Sequence, residues 1–176
     1  MGDTQWSRYY VFEQPEVGAA FILAGSVHAP DGEMALLAAR DTFARRPRRT
    51  AMWVVRDASI FSRTREQLDA TRPDKDAGAS AGTVFQVFAK RSHKGVHVHM
   101  GAVEAAGPEA AIRCADPEHG GGTAPVWWAI ADGDIIRSEE GDREVLFGSS
   151  PGKSFRHEIE YPVRTMMMDL KRKKKD

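Results

Sequence analysis

The sequence predicts an α+β protein of two tandem ββαβ modules packed as a pseudo-dimer, with an extended C-terminal segment. Three observations predict this. The chain repeats itself: Gly25-Ser26-Val27-His28-Ala29-Pro30-Asp31-Gly32-Glu33-Met34-Ala35-Leu36 is answered by Gly101-Ala102-Val103-Glu104-Ala105-Ala106-Gly107-Pro108-Glu109-Ala110-Ala111-Ile112, 76 residues later. Val11-Phe12 matches Val87-Phe88 at that offset, while Met52-Trp53-Val54-Val55 and Trp127-Trp128-Ala129-Ile130, like Asp57-Ala58-Ser59-Ile60 and Asp132-Gly133-Asp134-Ile135, match at 75. Each copy has the same local pattern of hairpin, helix and strand. Finally, a repeat of about 70–80 residues has a thin core, so the copies should pack on each other rather than fold separately.

In the first copy, Tyr9-Tyr10-Val11-Phe12 is short, aromatic and β-branched, which favours a strand. Pro15, Glu16 and Gly18 interrupt it and Ala20-Phe21-Ile22-Leu23-Ala24 resumes the apolar run, giving a hairpin. Asp31 offers a helix N-cap, with Glu33 in the first turn to complement the helix dipole. Leu36, Ala39 and Phe43 recur at helical spacing, and Met34, Ala35 and Leu37 should widen that apolar stripe. Arg45-Arg46 and Pro47 suit its end. Ala51–Val55 then reads as a buried strand.

The second copy predicts a hairpin from Val84–Phe88 and Val96–Met100, then a helix with Pro108 in its first turn. Pro117, in the place of Asp41, should shorten that helix by about a turn. The expected organisation is a first module at 6–70, a polar Pro/Gly/Ala-rich mobile linker at 71–82 and a degraded second module at 83–140. An extended segment at 141–165 and a basic, disordered tail at 166–176 follow.

Charge balances at 25 basic and 25 acidic residues, but Lys171–Asp176 holds five of the bases and one acid. The body therefore carries 20 against 24, about −4. Cys114, the single cysteine, excludes an internal disulfide and any CxxC site, and in a helix it should be a buried, inert thiol. No secretion signal or spanning run is visible, so a cytoplasmic protein is expected.

Candidate chemistry is sparse. Gly148-Ser149-Ser150-Pro151-Gly152-Lys153-Ser154 imitates a phosphate loop but has three residues between its glycines where the motif requires four, and it leads into strand-like sequence. His97 and His99 share a strand face with His93 nearby, yet no Cys, Asp or Glu joins them at ligand spacing, and exposed polar positions are the plainer reading. No Glu-x-x-His di-iron pattern, hydrolase elbow or zinc motif occurs. Catalysis by this chain alone is therefore not expected. The lysine tail lacks the aromatic context of a nucleic-acid site. Two features suit a protein partner instead. One is the arginine cluster including Arg45 and Arg46, weighed against simple helix-end compensation. The other is the tryptophans Trp53, Trp127 and Trp128, weighed against packing between the copies. Strand alternation puts Trp127 and Trp128 on opposite faces.

Tyr10-Val11-Phe12, the Gly25–Leu36 stretch, Ala39-Arg40-Asp41 with Arg45-Arg46, and Trp53-Val54-Val55 together resemble the phenylacetate-degradation B family. Lys153-Ser154-Phe155-Arg156-His157 followed by Tyr161 resembles that family's C-terminal segment. The resemblance covers residues 6–61 and, more weakly, 83–162. It implies the small subunit of a multicomponent ring-1,2-phenylacetyl-CoA epoxidase, with a non-catalytic role bridging di-iron catalytic and structural helical subunits. Iron and a flavin/iron–sulfur reductase would then reside in other subunits, with no cofactor, nucleic acid or membrane bound by this chain. The implied partner-facing residues are His28, Arg40, Arg45, Arg46, Trp53, Trp127, Arg156 and His157. The chain departs from the pattern in resembling two modules that share one tail, the fused pair standing in for a homodimer. In the second copy Glu104 replaces His28, Asp116 replaces Arg40 and Pro117 replaces Asp41. The competing expectation is a small-molecule binding protein or enzyme with a pocket between the modules, using His97 and His99.

Overall fold

The computed structural model describes residues 6–43, 50–70, 82–117, 123–139 and 141. Its mixed α/β architecture is one eight-stranded antiparallel sheet with three helices. In chain order the elements are β1 (Ser7–Gln14), β2 (Ile22–Ala29), α1 (Gly32–Phe43), β3 (Ala51–Arg56), β4 (Ile60–Thr64) and α2 (Arg65–Ala70). Then follow β5 (Thr83–Lys90), β6 (His97–Ala105), α3 (Pro108–Ala115), β7 (Val126–Ala131) and β8 (Ile135–Arg137). A three-residue 3₁₀ turn precedes both β4 and β8. The expected linker, the C-terminal extended segment and the basic tail lie outside the described residues, apart from Gly82 and Gly141.

Alternation decides what each strand buries. Tyr9 and Val11 on β1 and Met52 and Val54 on β3 pack with Ala35 and Ala39 of α1 in one cluster. Phe85, Val87, Trp127 and Ala129 pack with Ala111, Ile112 and Ala115 of α3 in a second. The alternate residues Phe12, Phe21, Val55, Phe88, Ile130 and Ile135 form a third cluster, drawn from both halves of the chain. Asp31 caps α1 by accepting the Met34 amide on Oδ1 at 2.8 Å. Helix α3 runs eight residues against twelve for α1, the shortening expected from Pro117.

The strand order is β4-β7-β5-β6-β2-β1-β3-β8. The β1–β2 register, with Tyr9 opposite Val27, recurs in β5–β6 with Phe85 opposite Val103. Both ladders slip at matching points, Val11/Phe12 and Val87/Phe88. The glycines facing those slips, Gly25 and Gly101, have φ of 158° and 146°. At Gly25 a Cβ would also come within 2.7 Å of the Phe43 ring, so α1 can close on β2 only over a bare backbone.

A ββαβ module omits the strand that joins the halves. β4 does not pair within the first half; it pairs with β7, and β8 pairs with β3. The chain passes from β3, near one end of the strand order, to β4 at the other end through three residues. From Arg56 to Ile60 the backbone can span only about 14 Å, so the two ends of the sheet must lie close together. The contact of Phe12 with Phe88, centroids 4.3 Å apart, requires the same curvature, because β1 and β5 would be about 14 Å apart in a flat sheet. The seam of this curl is thin: β2 and β6 share one register pair, Ile22 with Val98, plus a bond from the His99 amide to the Phe21 carbonyl at 2.8 Å.

Three local expectations are corrected. Met34 and Leu37 do not join the buried stripe of α1; they are 48% and 44% exposed, because the small Ala35 and Ala39 take the sheet-facing positions. Cys114 is exposed, pointing away from the Ala111, Ile112 and Ala115 face that α3 buries. His97 is not an exposed polar position but is buried at 7% exposure.

Candidate functional site

The chemistry-bearing side chains gather in the space between the two halves of the curled sheet. Trp53 on β3 stacks on Phe21 at 3.8 Å between centroids, and Trp128 on β7 stacks on His97 at 3.6 Å. These pairs occupy corresponding places in the repeat, His97 standing where Phe21 stands. Phe12, Phe88 and Tyr10 fill the interval, with Tyr10 5.1 Å from Trp128. A ring stacked face-on leaves the His97 Nε2 buried without a hydrogen-bond partner. Burial, aided by the nearby Lys90 charge, lowers the His97 pKa to about 4, so at neutral pH this imidazole is uncharged.

One polar chain crosses this apolar interior. Gln86 Nε2 donates to Asp132 Oδ1 at 2.7 Å, so the Gln86 carbonyl oxygen is left to accept from His99 Nε2, also at 2.7 Å. That assigns the proton of His99 to Nε2. Arg137 closes the chain on Asp132 and lies over the Trp53 ring, 5.0 Å from its centroid. The hydrogen bond from Gln86, reinforced by Arg137, holds the Asp132 carboxyl below its ordinary range. The first half uses different residues for the same position: Asp57 binds Arg8 at 2.6 Å, and Arg8 lies 5.2 Å over the Tyr10 ring. Each member of the second chain is oriented by another side chain rather than by an open space. The arrangement ties β5 (Gln86) to β6 (His99), to the turn that carries Asp132 and to β8 (Arg137), and through the Trp53 ring to β3.

A second set of contacts ties α2 of the first half to α3 of the second. Arg65 grips Asp116 in a bidentate pair, Nη1 to Oδ2 at 2.8 Å and Nη2 to Oδ1 at 2.5 Å, with side chains 22% and 18% exposed. Hydrogen bonding to Asp116 raises the Arg65 pKa further. Arg113 donates to the Leu68 carbonyl at 3.0 Å and to Glu109, which also meets Arg63. Arg65, Arg113 and Asp116 line an open surface pocket with Leu68 and Asp69. Among the described residues no group of three or more His, Cys, Asp or Glu side chains is placed to hold a metal ion, and no helix is long and apolar enough to cross a membrane.

The partner-facing candidates scatter. His28 is exposed on β2, directly across from Arg8, at the rim of the interior that carries the Arg8–Asp57 pair. Arg40 is partly exposed on α1 and pairs with Asp41 at 3.1 Å. Trp53 is half-buried in the interior cluster. Trp127 is fully buried beneath α3, which removes it from any outer surface; its neighbour Trp128 is the one that faces the other half, as alternation requires. Arg45, Arg46, Arg156 and His157 lie outside the described residues. Sequence reasoning missed Gln86, Asp132 and Arg137, which become neighbours only through strand pairing, and the Arg65–Asp116 pair, whose members are 51 residues apart.

Comparison with known proteins identifies the family. A family model described as phenylacetic acid degradation B matches residues 5–77. The subunit designated B of the 1,2-phenylacetyl-CoA epoxidase of Escherichia coli (strain K12) is 36% identical over 67 residues, covering 38% of this chain and 70% of that relative. The chain belongs to the phenylacetic acid degradation B family. No solved structure matches it. The family match covers β1 to α2 and ends before β5, so the residues it reaches include His28, Arg40, Trp53 and Arg65, while Gln86, Asp132 and Arg137 fall outside it.

Proposed function

We propose that this chain is a non-catalytic, bridging subunit of a multicomponent di-iron aromatic acyl-CoA monooxygenase of the phenylacetyl-CoA epoxidase type, acting in aromatic degradation in the cytoplasm. The observation that carries this reading is its similarity to one subunit of such an epoxidase over most of that relative's length. The di-iron centre and the flavin/iron–sulfur reductase belong to partner subunits, which are the catalytic and structural helical proteins. In this reading the halves are tandem modules packed as a pseudo-dimer. The palindromic strand order, the equal registers and the matching ladder slips support it. Fusion makes a homodimer unnecessary by holding the second module at high effective concentration. The interior is spent on joining the modules, so partner binding falls to exposed positions such as His28 and Arg40 and to the arginines that follow α1 in the sequence.

Co-expression with the neighbouring oxygenase subunits, followed by size-exclusion chromatography, tests the proposal. Co-elution at micromolar concentration is expected, weakened by reversal of Arg45 and Arg46. Clean separation of the chain from those subunits would refute it.

A further inference from the structure

The two halves carry their exposed charge unequally, and the strand registers place that charge. β2 and β6 are antiparallel and meet at Ile22 and Val98. From that seam β2 runs on toward His28, and because β6 is antiparallel the turn between β5 and β6, residues 91–96, extends in the same direction. Arg8 lies opposite His28. Arg8, His28 and that turn therefore occupy one end of the curled sheet. By the same registers Val84, Glu104 and the turn between β1 and β2, residues 15–21, occupy the other end.

Among the described residues the first end is basic. Arg8, His28, Arg91, His93 and Lys94 are exposed there, with Lys90 partly exposed beside them. At the positions 76 residues away the other end carries Val84, Glu104, Pro15, Val17, Gly18 and Gln14, so none of these cations is repeated. Glu16 and Glu139 join Glu104 there as exposed acids. Glu139 reaches that end because the Ser138 amide bonds to Met52, whose neighbour Ala51 lies opposite Gln14. The acids near the basic end are taken up locally: Asp57 binds Arg8, Asp31 caps α1 and Glu33 lies in its first turn. At the acidic end Arg137 is likewise held by Asp132. What remains is a cationic surface at one end and an anionic one at the other.

We propose that the basic end, formed by Arg8, His28 and the turn carrying Arg91 and Lys94, docks an acidic face of a partner oxygenase subunit. This rests on the accessory-subunit reading and adds to it which end is used and the charge of what binds there. Charge complementarity favours that occupant over two others. A second copy could offer its own acidic end, but the two ends point opposite ways, so such a contact is heterologous and leaves a free end at every step. A long polyanion following the surface would run onto the exposed acids of the other end.

The test titrates purified oxygenase subunits into the full-length chain by calorimetry. Arg91→Glu with Lys94→Glu, both in an exposed turn, should weaken the complex at least about tenfold, because like charges then face each other. Raising salt from about 0.1 M to about 1 M shortens the screening length from about 10 Å to about 3 Å, and should weaken the wild type far more than that variant. Glu16→Lys with Glu104→Lys, at the other end, should leave the affinity within about twofold. Affinity that ignores the Arg91 and Lys94 reversal, or falls as far on reversal of Glu16 and Glu104, overturns this proposal and leaves the accessory role standing. A wild-type chain that binds none of those subunits overturns both. The proposal also fails if the isolated chain assembles with itself at low salt and reversal at either end disperses it, because the basic end is then filled by another copy.

Discussion

Phe12 and Phe88 offer a direct probe of how the halves are joined. Each is fully buried, each comes from the equivalent strand of its own half, and their rings touch at 4.3 Å between centroids. Truncation to alanine would cost about 3–5 kcal/mol at either site, a large part of the total stability of about 5–15 kcal/mol that a domain has. Phe→Leu is the gentler perturbation, at about 1–1.5 kcal/mol each, or a Tm loss of about 2–6 °C for a chain of this size. If the two rings share one core, the double variant should depart from the sum by about 0.5–1.5 kcal/mol, the value of an aromatic pair. The assay is urea unfolding of wild type, Phe12→Leu, Phe88→Leu and the double variant, followed by tryptophan fluorescence and far-UV circular dichroism. Coincident transitions and a measurable coupling are expected. Two separate transitions, or additivity to within about 0.3 kcal/mol, would refute the single interior core.

Further outcomes follow from the buried polar groups. His97 is held neutral, so the unfolded chain takes up a proton near pH 6.5 that the folded chain refuses until about pH 4. Stability should therefore fall as pH drops through that window, by on the order of 1–2 kcal/mol after allowing for solvent screening, and level off below it. His97→Phe, which restores the residue type found at Phe21, should flatten that dependence in a denaturation series run from pH 4 to 7; an unchanged slope would place the titration elsewhere. Removing one member of the Arg65–Asp116 pair should cost about 2–3 kcal/mol in a denaturant titration, because a partly buried charge loses its bidentate partner, and Arg65→Asp with Asp116→Arg should recover much of the loss. Trp127→Ala should destabilise the fold by about 3–5 kcal/mol, and the partner affinity of whatever remains folded should be unchanged, as measured by titration calorimetry; a specific affinity loss would return Trp127 to the interface.

What could be read from the sequence was whatever depends on near neighbours. The Asp31 cap, the Pro117 truncation of α3 and the opposite orientations of Trp127 and Trp128 depend on spacings of a few residues, and each holds. β4 and β8 were not legible: each is short, and among the described residues each pairs with a strand across the repeat, where periodicity carries no information. The same non-locality hid the Gln86–Asp132–Arg137 chain. His97 and His99 were placed on one face correctly, but alternation cannot tell a rim from an interior; the stack on Trp128 decides that His97 is buried. Leu36, Met34 and Leu37 looked like one stripe because hydrophobicity was weighed without size. The sheet needs alanine at 35 and 39 for α1 to approach, and this leaves the larger residues outward or at the flank.

The central claim is that this chain shapes an oxygenase without performing its chemistry. Iron content and acyl-CoA turnover measured in parallel, on the purified chain and on its co-purified complex, test it most directly. The account predicts iron and oxygen-dependent product only in the complex. Stoichiometric iron with turnover in the isolated chain would contradict it.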